Sequence, residues 1–212
     1  MNSIVQNYEN IKSLINNSNV KIVAVSKTFT YEHIKPLVDY GHIHFGENKV
    51  QEAQSKWKDI KKEKLDIKLH MIGKLQSNKA QEAVKLFDNI HSVDTPKLAG
   101  LLSKHENTIN KKLNYFIQVK IGNEPQKSGI AIKSLDDFFY YCTKELKLNV
   151  IGLMAIPPND GKEKLYFKSL MELNKLLNLK ETSMGMSNDF QEALKYETTF
   201  VRIGSSIFGN RT

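Results

Sequence analysis

With 212 residues, 40% of them hydrophobic, the chain is long enough to bury a sizeable core as one domain spanning 1–212. A formal net charge of +8 raises nucleic acid as a partner, but the basic residues are lysines spread over almost every predicted helix, with arginine only at 202 and 211 and no RNA-recognition signature, so nucleic-acid binding ranks third among the function classes. No apolar stretch is long enough to span a membrane, the polar start Met1–Asn17 has a helical pattern and no signal-peptide core, and the lone Cys142 excludes an internal disulfide and a cysteine metal cluster, which fits a reducing cytoplasm.

The first apolar run, Val20 to Thr28, reads as a buried strand: short, β-branched and with little alternation. Parallel strands covered on both faces look like this. Further strands are predicted at Ile43–Gly46, Leu69–Gly73, Asn89–Val93, Tyr115–Ile121, Val150–Ile156, Thr182–Met186 and Phe200–Gly204, the first running Val20–Ser26. Between them lie helical patterns at Tyr31–Asp39, Asn48–Asp59, Ser77–Phe87, Pro96–Asn107, Leu135–Leu146, Lys162–Leu177 and Asp189–Lys195. Ser77 is placed to cap its helix, and Pro96 follows Thr95 where a first helical turn tolerates proline. Leu165, Leu170, Leu173, Leu176 and Leu177 read as one core-facing stripe.

Eight strands alternating with helices point to a (β/α)8 TIM barrel at the short end of its size range, with an extra N-terminal helix. An open doubly wound sheet is the alternative, and the absence of G-x-G-x-x-G after the first strand weighs against its dinucleotide-binding form. A barrel puts its chemistry at the carboxyl ends of the strands and holds phosphate after the last two.

Lys27 ends the first strand. Partial desolvation there would lower its pKa and free the amine to form a Schiff base with a carbonyl. Strands seven and eight end in Ser183-Met184-Gly185-Met186-Ser187-Asn188 and Arg202-Ile203-Gly204-Ser205-Ser206, glycine- and serine-rich turns that suit an anion. Arg202 lies in strand eight, beside strand one once a barrel closes. An aldehyde carrying a phosphate and a ring nitrogen would use all three features, and pyridoxal 5′-phosphate is such a molecule. Glu47 and Asn48 follow strand two and either point into the mouth or cap the next helix. His70 reads as a hydrogen-bonded core histidine, Lys127 as a loop residue within reach of an anion or of water alone, and Met154 as a ring contact or barrel filler.

At these residues the chain resembles the pyridoxal-phosphate homeostasis protein family, single-barrel relatives of the alanine racemase N-terminal domain. The motifs run in order: Ala24-Val25-Ser26-Lys27-Thr28; Phe45-Gly46-Glu47-Asn48 with Val50-Gln51-Glu52; His70-Met71-Ile72-Gly73 with Leu75-Gln76-Ser77-Asn78-Lys79; Lys127-Ser128-Gly129; Gly152-Leu153-Met154-Ala155-Ile156-Pro157; Met184-Gly185-Met186-Ser187; Val201-Arg202-Ile203-Gly204; and Ile207-Phe208-Gly209. The resemblance implies that Lys27 carries the cofactor, that Ser187, Gly204 and Ser205 contact its phosphate, that Arg202 faces the pyridine nitrogen and that Asn48 lies near it. It also implies a carrier and regulator of vitamin B6 pools that affects amino-acid balance, without an established reaction. Lys49 stands where the family usually has tyrosine, and Lys74 where proline or histidine is common.

An arginine opposite the ring nitrogen disfavours pyridinium and leaves the ring a weak electron sink. The racemases, as the resemblance implies, take a second base from a partner subunit with an added β domain, and here only a few residues follow the eighth strand. The expected function is therefore a cofactor-binding protein, a monomer that passes pyridoxal phosphate to apo-enzymes. The alternative is a slow racemase-type enzyme on amino acids.

Overall fold

The computed structural model describes residues 2–122 and 128–209. The chain opens with helix α1, Ser3–Ile15. The Asn2 side chain accepts from the Ile4 N–H at 2.9 Å, and Asn16 ends the helix in the left-handed region at φ 42°, which asparagine tolerates. Ile4, Ile11 and Ile15 recur at helical spacing and form its buried face. The elements that follow are β1 (Lys21–Val25), α2 (Tyr31–Asp39), β2 (His44–Glu47), α3 (Val50–Trp57), α4 (Ile60–Glu63), β3 (Lys68–Met71) and α5 (Ala80–Leu86). Then come β4 (Asn89–Val93), α6 (Pro96–Ile109), β5 (Asn114–Lys120), β6 (Ile130–Ala131), α7 (Leu135–Tyr140) and β7 (Asn149–Met154). The chain continues through α8 (Glu163–Leu176), β8 (Glu181–Met186), α9 (Phe190–Leu194), β9 (Phe200–Ile203) and α10 (Ser205–Phe208).

Strands β1 to β5 and β7 to β9 pair in parallel, and the β9–β1 and β4–β5 pairings close them into the predicted (β/α)8 barrel. Val23 on β1 lies opposite Arg202 on β9, so the arginine sits beside the first strand as expected. The short β6 pairs with the end of β5. The Asn7 side chain of α1 donates to the Ile207 carbonyl of α10 at 3.1 Å, tying the N-terminal helix to the end of the chain.

Among the described residues the hydrophobic interior has two parts. Outward-facing strand residues such as Ile22, Ala24, Phe45, Leu69 and Ile90 meet the helices in the larger one. The lumen holds the smaller: Val23, Val25, Ile72, Phe116, Met154 and Phe200. The period-two alternation of each strand produces this division.

Three helical readings are corrected. Ser77 does not cap α5, because the chain is already wound into a tight 3-10 turn over Ser77–Lys79 and no side chain caps it. The Leu135–Leu146 helix widens at Tyr141–Glu145 into a π-type turn, with Cys142 buried in it. Burial pushes the Cys142 thiol up to about 12. On α8, Leu165 and Leu176 are exposed, while Phe167, Leu170 and Asn174 are buried. Those three recur at i, i+3 and i+7, and each exposed leucine is two residues, roughly 200°, away from that face. Thr95 and Pro96 behave as read: the Thr95 hydroxyl accepts from the Leu98 N–H at 3.3 Å.

Candidate functional site

Lys27 follows β1 at the carboxyl mouth of the barrel and is half-buried. Its neighbours on both sides are pinned. Ser26 is fully buried, its N–H donates to the Gly46 carbonyl at 3.0 Å, and its hydroxyl donates to Glu47 Oε1 at 2.8 Å. Lys56 Nζ donates to the Ser26 carbonyl at 2.7 Å and to Glu47 Oε1 at 2.8 Å, and Trp57 Nε1 donates to the same oxygen at 2.8 Å. On the other side, the Thr28 N–H donates to Glu52 Oε1. Thr28 has φ 70°, a left-handed conformation that costs a β-branched residue about 1–3 kcal/mol and persists only where surrounding contacts impose it. The knot of Glu47, Lys56, Trp57 and Glu52 imposes it here.

A cleft of about 490 Å³ opens at this mouth, within the ~300–1,000 Å³ typical of small-molecule sites. Lys27, Asn48, Ser187, Arg202, Gly204 and Ser205, all singled out in the sequence, line it together. Asn48 reaches the wall because Gly73 allows a close approach: a Cβ there would lie 2.4 Å from the Asn48 carbonyl oxygen. The loops after β8 and β9 meet where the Gly204 N–H donates to Ser187 Oγ at 3.4 Å. The turn into α9 uses Gly185 at φ 91°, with Ala193 close behind it, and is closed by the Met186 N–H donating to Asp189 Oδ1 at 2.5 Å.

Arg202 is buried beneath this cleft. Its Nη1 donates to Ser183 Oγ at 2.6 Å and its Nη2 to the Ala155 carbonyl at 3.0 Å. Burial pushes the guanidinium down to about 10, a shift the Asp189 carboxylate opposes, so it stays charged at neutral pH. Among the described residues that line the cleft, Lys27, Lys74 and Arg202 carry charge and no carboxylate is present. Such a donor set fits a phosphorylated aldehyde: an amine for the carbonyl, hydroxyls and N–H groups for the phosphate, and a guanidinium with no acceptor for a ring nitrogen.

Other expectations change. Met154 does not line the cleft; it is fully buried in the lumen cluster with Val25, Ile72 and Phe116. Glu47 neither faces the mouth nor caps α3: it ends β2, is fully buried, and serves the knot behind Lys27. The backbone at Lys49 precedes α3 without any side-chain cap. Lys127 lies outside the described residues. His70 is the hydrogen-bonded core histidine expected. Sequence reading missed Ile72, Gly73, Gln118 and Ile156 on the cleft wall, though each lies at or just beyond a strand's carboxyl end, where a barrel builds its site. It also missed His91, and took Ser183 for part of an anion-suited turn where it instead bonds His91 and Arg202 inside the barrel. Polar side chains inside otherwise apolar strands were the available signal.

The family model described as alanine racemase, N-terminal domain, matches residues 1–212. Proteins named pyridoxal phosphate homeostasis protein match along nearly the whole chain. The one from Vibrio cholerae is 36% identical, with 100% of this chain and 98% of that protein covered; the one from Escherichia coli K12 is 32% identical, with 91% and 86% covered. Among solved structures, PipY of Synechococcus elongatus PCC7942 without PLP superposes with a TM-score of 0.90 at 32% identity, covering 97% of this chain and 100% of that one. The same protein with PLP bound superposes equally well, with a TM-score of 0.90 at 31% identity. An alanine racemase from Clostridium difficile shares the fold at 14% identity, with a TM-score of 0.78 over 100% of this chain and 57% of that one. Matched from end to end in sequence and in barrel geometry, the chain belongs to the pyridoxal phosphate homeostasis protein family, within the alanine racemase N-terminal domain fold.

Proposed function

We propose that this protein is a cytoplasmic carrier of pyridoxal 5′-phosphate, holding the cofactor as a Schiff base on Lys27 and delivering it to apo-enzymes, and so maintaining vitamin B6 and amino-acid homeostasis. The observation that carries this reading is one cleft shared by the Lys27 amine and the Arg202 guanidinium, with no carboxylate among the described residues that line it. The relatives' printed names and the PLP-bound structure of PipY support it. When bound, the cofactor supplies an electron-withdrawing ring that can stabilise negative charge on an attached carbon.

In this reading Ser187, Gly204 and Ser205 bind the phosphate and Asn48 orients the ring, while Met154, buried in the lumen, does not touch it. Arg202 donates to the ring nitrogen, has no acceptor for a proton on it, and by its own charge disfavours pyridinium, so the ring stays unprotonated and electron withdrawal stays weak. Weak withdrawal suits storage better than turnover.

The test is spectroscopic. Purified protein mixed with pyridoxal 5′-phosphate should turn yellow, Lys27→Ala should stay colourless, and loaded protein should reactivate a cofactor-free aminotransferase. A loaded Lys27→Ala variant with the wild-type band would defeat the reading.

A second reading, a slow racemase-type enzyme on amino acids, draws on Lys74, a second amine on the cleft wall. It requires that the loaded protein exchange the α-hydrogen of an amino acid for deuterium and that Lys74→Met abolish this exchange. No exchange over a broad amino-acid panel leaves the carrier.

A further inference from the structure

The barrel lumen carries a line of polar side chains that neither the cleft nor the apolar core accounts for. It starts at Arg202, whose Nη1 donates to Ser183 Oγ at 2.6 Å. Ser183 Oγ lies 2.8 Å from His91 Nδ1, His91 Nε2 lies 2.9 Å from His70 Nδ1, and His70 Nε2 lies 3.0 Å from His44 Nδ1. Arg202, Ser183, His91 and His70 are all buried. His44 is half-buried at the amino-terminal mouth, on a second cleft of about 650 Å³ that Lys21, Lys68 and Asp88 also line. The line therefore runs the height of the barrel, through β9, β8, β4, β3 and β2.

Its direction follows from donor chemistry. A guanidinium only donates. Ser183 Oγ accepts from Arg202, and the serine proton then goes to His91 Nδ1, the hydroxyl's other partner among the described residues. A neutral imidazole has one N–H and one acceptor nitrogen, so acceptance at His91 Nδ1 leaves its Nε2 to donate. The same step repeats at His70 and at His44. All three rings are neutral near pH 7. Burial holds His91 and His70 well below 6.5, helped at His91 by the Arg202 charge. Burial, with Lys21 and Lys68 beside it and Asp88 opposing, lowers His44 to about 4. Hydrogen bonds aligned in a low-dielectric interior polarise one another.

We propose that this line couples the two mouths of the barrel: Arg202 selects the Nε2–H tautomer in His91, His70 and His44, and the line in return fixes where the guanidinium points. Ser183 and the three histidines are then positioning residues for Arg202. Only their effect on the cofactor ring rests on the carrier reading above. Because coupling is reciprocal, a ligand that draws on Arg202 is felt at His44.

Long-range proton–nitrogen correlation spectra of uniformly ¹⁵N-labelled protein, free of cofactor, read each tautomer directly. Wild type should show unprotonated Nδ1 and protonated Nε2 at all three histidines. Arg202→Met removes the group that breaks the symmetry, and the ring nitrogens of His91, His70 and His44 should shift toward tautomer-averaged positions. Arg202→Lys, again a donor without an acceptor, should restore the wild-type pattern. An Nδ1–H at any of the three wild-type rings would overturn the proposal, as would Arg202→Met leaving His44 unshifted. The wild-type spectrum decides the point even where a variant fails to fold. Adding pyridoxal 5′-phosphate should then shift the His44 nitrogens; bound cofactor without that shift would overturn the coupling. Failure of the cofactor to bind would defeat the carrier reading alone, since the tautomers are read without it.

Discussion

The layer between barrel and helices and the lumen of the barrel are built from the same strands and differ in kind. The outer layer is mainly apolar, with Ile22, Ala24, Phe45, Leu69 and Ile90 facing the helices and a few partnered polar groups such as Glu47 and Asn174 among them. One residue along, the same strands turn Val23, His44, His70, His91 and Arg202 inward, and the small apolar cluster there is threaded by charge and imidazole. Buried polar groups cost free energy unless they are fully partnered, so the lumen contributes less stability per side chain than the layer around it. The outer layer holds the barrel closed, and the lumen sets the electrostatics of the cleft.

That difference can be broken open by mutation and by pH. Phe45→Ala in the outer layer should cost about 3–5 kcal/mol in urea unfolding, while the protein that remains folded still binds cofactor. A loss below ~1 kcal/mol would mean that the outer layer does not carry the stability. Acid should strike the histidines next. His44 and His42 are both lowered to about 4 from an ordinary 6.5, chiefly by burial, and His70 and His91 lie well below that ordinary value. The unfolded chain therefore binds more protons than the fold as pH falls below 6.5. The stability these groups contribute is whole above pH 6.5 and is lost as pH drops toward 4, by on the order of 3 kcal/mol for each ring that stays neutral. Denaturation midpoints measured across that window should fall steadily, and a flat profile would contradict neutral buried rings.

Smaller effects sharpen the contrast. Thr28→Gly relieves a left-handed φ of 70° and should raise stability by about 1 kcal/mol while loosening Lys27, seen as faster cofactor release. Lys62→Ala breaks an exposed ion pair with Asp59 and should change stability by less than ~0.5 kcal/mol.

Much of this was legible in the sequence, because period-two burial and the alternation of strand with helix are written in residue type. All the barrel strands were found, and six of the seven candidate site residues line the cleft at the carboxyl ends of the strands, where the barrel rule and the family resemblance put them. What stayed hidden depended on contacts between distant segments. Glu47 read as a mouth residue or a helix cap, and only the arrival of Lys56 and Trp57 on α3 shows it serving Ser26 from behind. Met154 matched a motif, but its place on the inward face of β7 puts it below the cleft. Ser183 and His91 are 92 positions apart, and no local pattern announces that they touch. The two-residue β6 and the four-residue α10 are too short for any periodicity to show.

Borohydride reduction of protein loaded with pyridoxal 5′-phosphate, followed by peptide mass mapping, bears most directly on the carrier reading. A single phosphopyridoxyl group on Lys27, with Lys74 and the surface lysines unmodified, is the result expected. An adduct absent from Lys27, or spread over many lysines in proportion to their exposure, would contradict it.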